Sequence, residues 1–273
     1  MPLENKVSVK FNILVFIGNP DIFKNSLLPK IIKLYQYFDK SKFCLYCCVN
    51  NKFSCKSDID NLLKSNLESN NLDFPYCLFE TINKGADIGG FFQLIKKVKE
   101  VDDNNYNYNI FVHTKSKDSW RESLLSILEV NYLLKFEQRV LENKNIGIYG
   151  CHRWLNKNKR YSSNKKLKLS KKETRQIYEK NFKLVNSLFQ IDFTKKNLNN
   201  YCFISGTIFI FNSQLIEFIR PKIDECYELL PSYDHWRPSG KDIIGFEYTF
   251  ERWFGALSYH LGLLVTSEQG DFS

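Results

Sequence analysis

The sequence predicts an α/β protein with a mostly parallel, Rossmann-like sheet flanked by helices, and three observations support this. Short apolar runs alternate with stretches of helical spacing along the 273 residues, the order expected of a parallel sheet with crossover helices. Apolar residues make up 43% of the chain and aromatics 15%, enough for one large core and too much for a disordered chain. The apolar runs also stop at turn residues, as at Gly18-Asn19-Pro20 and Asn83-Lys84-Gly85.

Taken in order, Phe11 to Ile17 reads as a first strand and Leu27 to Phe38 as a helix. Phe43 to Val49 is a second strand, followed by a polar stretch to Leu72 that holds a short helix. Tyr76 to Ile82 is a third strand. Ile88, Phe91, Phe92, Ile95 and Val98 then share one face of an amphipathic helix over Ile88 to Val101. Tyr108 to His113 is a fourth strand, Trp120 to Leu141 one long helix, and Ile146 to Gly150 a fifth strand. A helix over Glu173 to Phe189, a strand over Cys202 to Phe211 and a helix over Ser213 to Leu229 follow. Tyr233 to Gly245, with Pro238 and two glycines, reads as a loop, and Phe246 to Leu261 as the last helix. No repeat and no sharp boundary interrupts the chain, so residues 1–273 are expected to form one domain with an excursion at about 155–172.

That excursion carries the charge. Eight basic residues (Lys157, Lys159, Arg160, Lys165, Lys166, Lys168, Lys171 and Lys172) and no acid lie between Lys157 and Lys172, and they account for all but one unit of the formal net charge of +9. A nucleic-acid-binding protein would use a broad basic surface with stacking aromatics, whereas this segment holds Tyr161 alone. The segment reads better as a loop that meets an anionic membrane surface or an acidic or lipid-diphosphate acceptor. No apolar stretch approaches a membrane span or a signal-peptide core, so a cytoplasmic protein is expected, peripheral at most to an inner membrane face. Cys44, Cys47, Cys48 and Cys55 cluster in sequence, but Phe43 to Val49 reads as a buried strand and not as paired zinc-ligand turns; free thiols in a reducing compartment are expected.

Ligands of open parallel sheets bind at the carboxyl ends of the strands, which directs attention to the strand tails. At the third tail stands Asn83-Lys84-Gly85-Ala86-Asp87-Ile88-Gly89-Gly90. Gly85 permits a tight turn and Asp87 opens the helix. The glycines either bare amides for phosphate or sugar hydroxyls, or simply allow close packing with Asp87 as a cap. The fourth tail reads His113-Thr114-Lys115, with Arg121 beyond. Lys115 and Arg121 could neutralise a diphosphate, although a histidine at the tip of a buried strand is more often structural. Gly206 interrupts the run Phe203 to Ser213, and Glu247 and Glu251 share one face of the last helix. A carboxylate there could take a proton from an acceptor hydroxyl, or pair internally.

Four blocks in this order resemble the rhamnan synthesis protein F family of polysaccharide glycosyltransferases. They are N-x-G-x-D-I-G at Asn83 to Gly89, H-T-K at His113 to Lys115 with Trp120-Arg121, S-G-T-x-F at Ser205 to Phe209, and E-R-x-F at Glu251 to Phe254. The resemblance implies a GT-A-like fold, a nucleotide-sugar donor (UDP- or dTDP-linked) and a glycan or lipid-linked acceptor. It places Asn83, Gly85, Asp87, Gly89, His113, Thr114, Lys115, Arg121, Gly206 and Thr207 on the donor side, and Gly18, in the stretch Ile17 to Asp21 at the tail of the first strand, is expected to line the base or ribose. Glu251, with Glu247 and Asp242 as alternatives, falls to the proton-accepting role. Where the family block often has arginine this chain has Ala86, and the Asp-x-Asp of many GT-A enzymes is missing, leaving Asp87 as a single candidate ligand for Mg²⁺ or Mn²⁺. A non-catalytic, sugar-binding relative is the competing reading.

Overall fold

A computed structural model of the chain describes residues 9–101, 107–114, 118–142, 145–157, 170–192, 201–233 and 245–271. Lys115, Asp242, most of the basic segment and most of the expected Tyr233 to Gly245 loop lie outside the described residues.

The first half of the chain lays down β1 (Phe11–Ile17), α1 (Pro20–Ile22), α2 (Leu28–Tyr37), β2 (Phe43–Asn50), α3 (Lys56–Ser69), β3 (Tyr76–Thr81), α4 (Ala86–Val101) and β4 (Tyr108–His113). The second half adds α5 (Asp118–Leu125), α6 (Val130–Glu142), β5 (Ile146–Gly150), β6 (Leu155–Lys157), α7 (Lys171–Leu188), β7 (Cys202–Ile204) and β8 (Phe209–Asn212). It ends with α8 (Ser213–Ile219), α9 (Ile223–Glu228), α10 (Phe246–His260), β9 (Leu264–Ser267) and β10 (Gly270–Asp271).

The main sheet runs β10-β9-β5-β8-β4-β1-β2-β3. β3, β2, β1 and β4 are mutually parallel, β8 runs antiparallel between β4 and β5, and β9 is parallel to β5. The expected α/β architecture, mostly parallel and helix-flanked, is therefore what the chain adopts. All seven residues of β1 are buried because the strand has neighbours on both edges and helices on both faces. Phe11, Ile13, Val15 and Ile17 face a layer built on α2, α3 and α6, while Leu14 and Phe16 face α4, α10 and the aromatic cluster of Phe91, Phe209, Phe211 and Phe254. The register sets Phe16 opposite His113, so the tails of β1 and β4 end level.

Three segments depart from the sequence reading. The long helix expected over Trp120 to Leu141 breaks at a 3-10 turn, Ser126–Leu128, with Glu129 extended. Leu124, Leu125, Ile127 and Leu128 are all buried, and four such residues in five positions cover more than one face of a straight helix. The helix expected over Ser213 to Leu229 breaks at Arg220–Lys222, where Pro221 has no N–H to give. The strand expected over Cys202 to Phe211 is two strands in two sheets. β7 pairs with β6 in a separate ribbon, and β8 joins the main sheet after a turn with Gly206 at φ 95° and Thr207 at φ 52°. β6, β9 and β10, each of two to four residues, went unanticipated for want of a long enough run.

Candidate functional site at the carboxyl rim of the sheet

Three turns meet at the rim where β1 to β4 end. The β3–α4 turn is anchored at Asn83, whose Oδ1 accepts from Asn50 Nδ2 at 2.9 Å and whose Nδ2 donates to the Tyr233 carbonyl at 2.9 Å. The backbone N–H groups of Tyr233 and Gly85 return the contact, to the carbonyls of Asn83 (2.9 Å) and Pro231 (2.8 Å). Gly85 and Ala86 are both left-handed, at φ 64° and 49°, and this reversal puts Asp87 in the first turn of α4, where the helix dipole favours a carboxylate. A Cβ at Gly89 would lie 1.7 Å from the Lys84 carbonyl oxygen, and one at Gly90 would lie 2.2 Å from the Phe16 ring. Close packing, the plainer of the two sequence readings, accounts for this glycine pair.

The second turn follows β1. Thr114 Oγ1 accepts from the backbone N–H of Gly18 at 2.9 Å and of Asn19 at 3.0 Å. Asn19 caps α1 through its own side chain, which accepts from the Ile22 amide at 3.0 Å. Gly18 and Thr114 thus hold each other and fix the end of β1 against the end of β4.

The third turn, Ser205-Gly206-Thr207, draws the site together. His113 Nε2 lies 2.9 Å from the Gly206 carbonyl oxygen, which can only accept, so Nε2 carries the proton. The Gly206 N–H donates to Glu251 Oε2 at 3.2 Å, and the Thr207 hydroxyl donates to Asp87 Oδ2 in a short hydrogen bond. Asp87 Oδ2 is also 3.3 Å from His113 Nε2. Residues far apart in the chain, Asp87, His113, Gly206, Thr207 and Glu251, therefore form one connected polar cluster. The His113 side chain is 6% exposed and that of Asp87 21%, so the carboxylate is the more open to solvent. Gly206 is also sterically required, since a Cβ would meet Leu124 Cδ1 at 2.9 Å and Trp120 Cζ2 at 3.3 Å.

Around this cluster the other candidates sort by contact. Glu247, buried in the first turn of α10, accepts from the Tyr233 hydroxyl and so belongs to the Asn83 network. Arg252 points away, with its guanidinium carbon 4.5 Å from the Phe203 ring centroid and 5.2 Å from that of Tyr178. Burial pushes the Tyr178 phenol up to about 12, so that ring stays neutral beneath the cation. Arg121, largely buried on α5, has its Nε 3.9 Å from Glu122 Oε1. Among the described residues no group of three or more His, Cys, Asp or Glu side chains is placed to hold a metal ion. No helix of the described residues is long and apolar enough to cross a membrane.

Sequence reasoning missed Asn50 and Tyr233, the two residues that fix Asn83. The signal for Asn50 was present, a polar residue ending an otherwise apolar strand and 1% exposed. Tyr233 carried no such mark, because its role comes from a bridge between Lys84 and Ser232 that only the fold creates.

Fold and rim together define an α/β protein of Rossmann-like architecture with a polar cluster at the carboxyl ends of its central strands. The chain matches no protein-family model and no curated protein.

Proposed function

We propose that the chain is a glycosyltransferase that moves a sugar from a UDP- or dTDP-linked donor to a glycan or lipid-linked acceptor in surface polysaccharide or glycoprotein glycan synthesis, at the cytoplasmic side of a membrane. One observation carries the reading. The Gly206 peptide is gripped at its carbonyl by His113 and at its N–H by Glu251, while the next residue holds Asp87. Residues of all four motif blocks thereby meet at one turn, at the rim where open α/β sheets bind ligands.

In this reading the acceptor hydroxyl attacks the anomeric carbon, and Glu251 takes the hydroxyl proton. The bond from that carbon to the diphosphate oxygen breaks, and its electron pair leaves with the nucleotide. The Gly206 amide fixes the Glu251 carboxylate, which aims the base without protonating it. Asp87 accepts hydrogen bonds from donor-sugar hydroxyls, and Lys115 and Arg121 offset charge on the diphosphate. Asp87 is the candidate for Mg²⁺ or Mn²⁺, and no step here depends on the ion.

A binding-only relative is favoured by one feature, since Asp87 and Glu251 both already accept hydrogen bonds from within the chain. A thermal-shift series with UDP- and dTDP-sugars, with and without Mn²⁺, tests the donor assignment. A ligand at a hundred times its Kd stabilises the native state by about 2.7 kcal/mol. Absence of any shift overturns the proposal, and a shift without nucleotide release, with or without acceptor, selects the binding-only relative.

A further inference from the structure

One cation at the rim is held, among the described residues, by an aromatic ring. Arg153 is exposed, and among the described residues it forms no ion pair. Its guanidinium carbon lies 5.4 Å from the ring centroid of Trp154, within the range of a cation–π contact. The indole beneath it is anchored by two contacts. Trp154 Nε1 donates to Ser123 Oγ at 2.8 Å, and the ring packs 5.0 Å from that of Trp120.

The short turn His152–Trp154 that carries both residues is locked in the same way. The His152 amide donates to Glu268 Oε2 at 2.9 Å, and its Nδ1 bonds Ser267 Oγ at 2.9 Å. The Trp154 carbonyl in turn accepts from the Ser205 amide at 2.9 Å, so the turn is fixed directly to the one that gathers Asp87, His113 and Glu251. The Trp120 ring touches the space a Gly206 side chain would fill. The chain beyond Arg153 continues, from Lys157 to Lys172, with eight basic residues and no acid.

A guanidinium stacked on a fixed ring loses little further freedom when it binds, and it presents two parallel N–H donors to a planar anion. We propose that Arg153 is an anion-recognition residue that takes a carboxylate of an acidic glycan acceptor. Naming the ligand an acceptor rests on the transferase reading above; the anion site itself does not. Arg153 reads one acidic sugar beside the turn that gathers Asp87, His113 and Glu251.

The test is calorimetric titration of the intact chain with tetragalacturonate, with maltotetraose as the neutral counterpart. The variants are Arg153→Gln and Arg153→Lys, both at an exposed position that leaves the core untouched. The uronate should bind in a salt-sensitive manner and the neutral sugar should not. Both variants should weaken uronate binding about tenfold, because lysine keeps the charge but loses the planar pair of donors. Failure of the wild type to bind the uronate overturns the proposal. So does wild-type affinity in either variant, which would assign the binding to charge alone or to the basic run. Donor thermal shifts on the same samples separate the two ideas. Arg153-dependent uronate binding without any donor shift keeps the anion site and removes the transferase reading.

Discussion

The Thr207 hydroxyl donates to Asp87 across 120 residues of sequence, and Thr207 adopts a left-handed backbone, at φ 52°, that β-branched residues seldom take. Thr207 is 1% exposed. Its hydrogen bond to a charged acceptor offsets the backbone cost, so two unfavourable turns, Gly85-Ala86 and Gly206-Thr207, are latched through one contact. Thr207→Val keeps the shape and removes the donor. It should lower unfolding stability by about 1–3 kcal/mol and weaken donor binding, while Thr207→Ser keeps both near wild type. Urea unfolding with parallel donor titration reads the two effects, and equal stability of the Val and Ser variants would deny the latch.

Glu251 accepts the Gly206 N–H, and glutamine can do the same through its amide oxygen. Glu251→Gln should therefore melt close to wild type yet transfer sugar about 10²–10⁴-fold more slowly, the usual range for losing a general base. Near-normal turnover would remove Glu251 from the role and turn attention to Glu247, which Tyr233 holds in the neighbouring network.

Legibility followed burial. The bounds of β1 and β4 are legible because each strand is buried throughout and mostly apolar, with Asn12, Asn109 and His113 as the buried polar exceptions. In the sequence Gly206 marks an interruption but not a change of sheet. The residues on both sides, Phe203-Ile204 and Phe209-Ile210, are equally apolar, and only pairing partners distinguish the β6–β7 ribbon from the main sheet. The site divided similarly. Asp87 and His113 stand out at strand tails, Gly206 as a break in an apolar run and Glu251 on the last helix, whereas the bonds that join them depend on where β8 re-enters the sheet beside β4. Arg252, next to Glu251 in sequence, is committed to the Phe203 and Tyr178 rings, a packing partner that spacing along the helix does not reveal.

The glycine pair of α4 makes a graded prediction. A methyl group at Gly89 meets backbone, the Lys84 carbonyl oxygen, whereas one at Gly90 meets the Phe16 side chain. Gly89→Ala must therefore displace the β3–α4 turn itself and should cost at least about 3 kcal/mol, with Gly90→Ala at about 1–3 kcal/mol. Guanidinium unfolding of the two variants checks the order. Equal and small costs would mean that the turn is softer than its hydrogen bonds to Pro231 and Tyr233 indicate.

Ala86 opens α4 with a left-handed backbone, at φ 49°. A left-handed L-residue costs about 1–2 kcal/mol, against the roughly 0.5–1 kcal/mol of extra chain entropy that glycine loses on folding. Ala86→Gly should therefore gain up to about 1.5 kcal/mol without altering donor binding. A clear loss on thermal unfolding would show that the Ala86 methyl makes a contact worth more than the strain.

Cys55 should be the thiol that reacts first. It stands exposed at the N-cap of the 14-residue helix α3, with its sulfur 2.9 Å from Ser57 Oγ. The Ser57 hydroxyl, then the Ser57 and Asp58 amides, hold its pKa below the ordinary thiol value, whereas burial pushes Cys47, Cys48, Cys151 and Cys226 up, Cys226 to about 12. The thiolate is the nucleophile, so alkylation of Cys55 should rise with pH and level off below the pH at which a free thiol does. In urea those hydrogen bonds are lost, and the midpoint should move up towards that of a free thiol. Mass spectrometry of iodoacetamide-treated protein across pH, folded and in urea, reads site and midpoint together. Simultaneous labelling of several cysteines in the folded chain, or a midpoint that urea does not raise, would contradict the N-cap geometry.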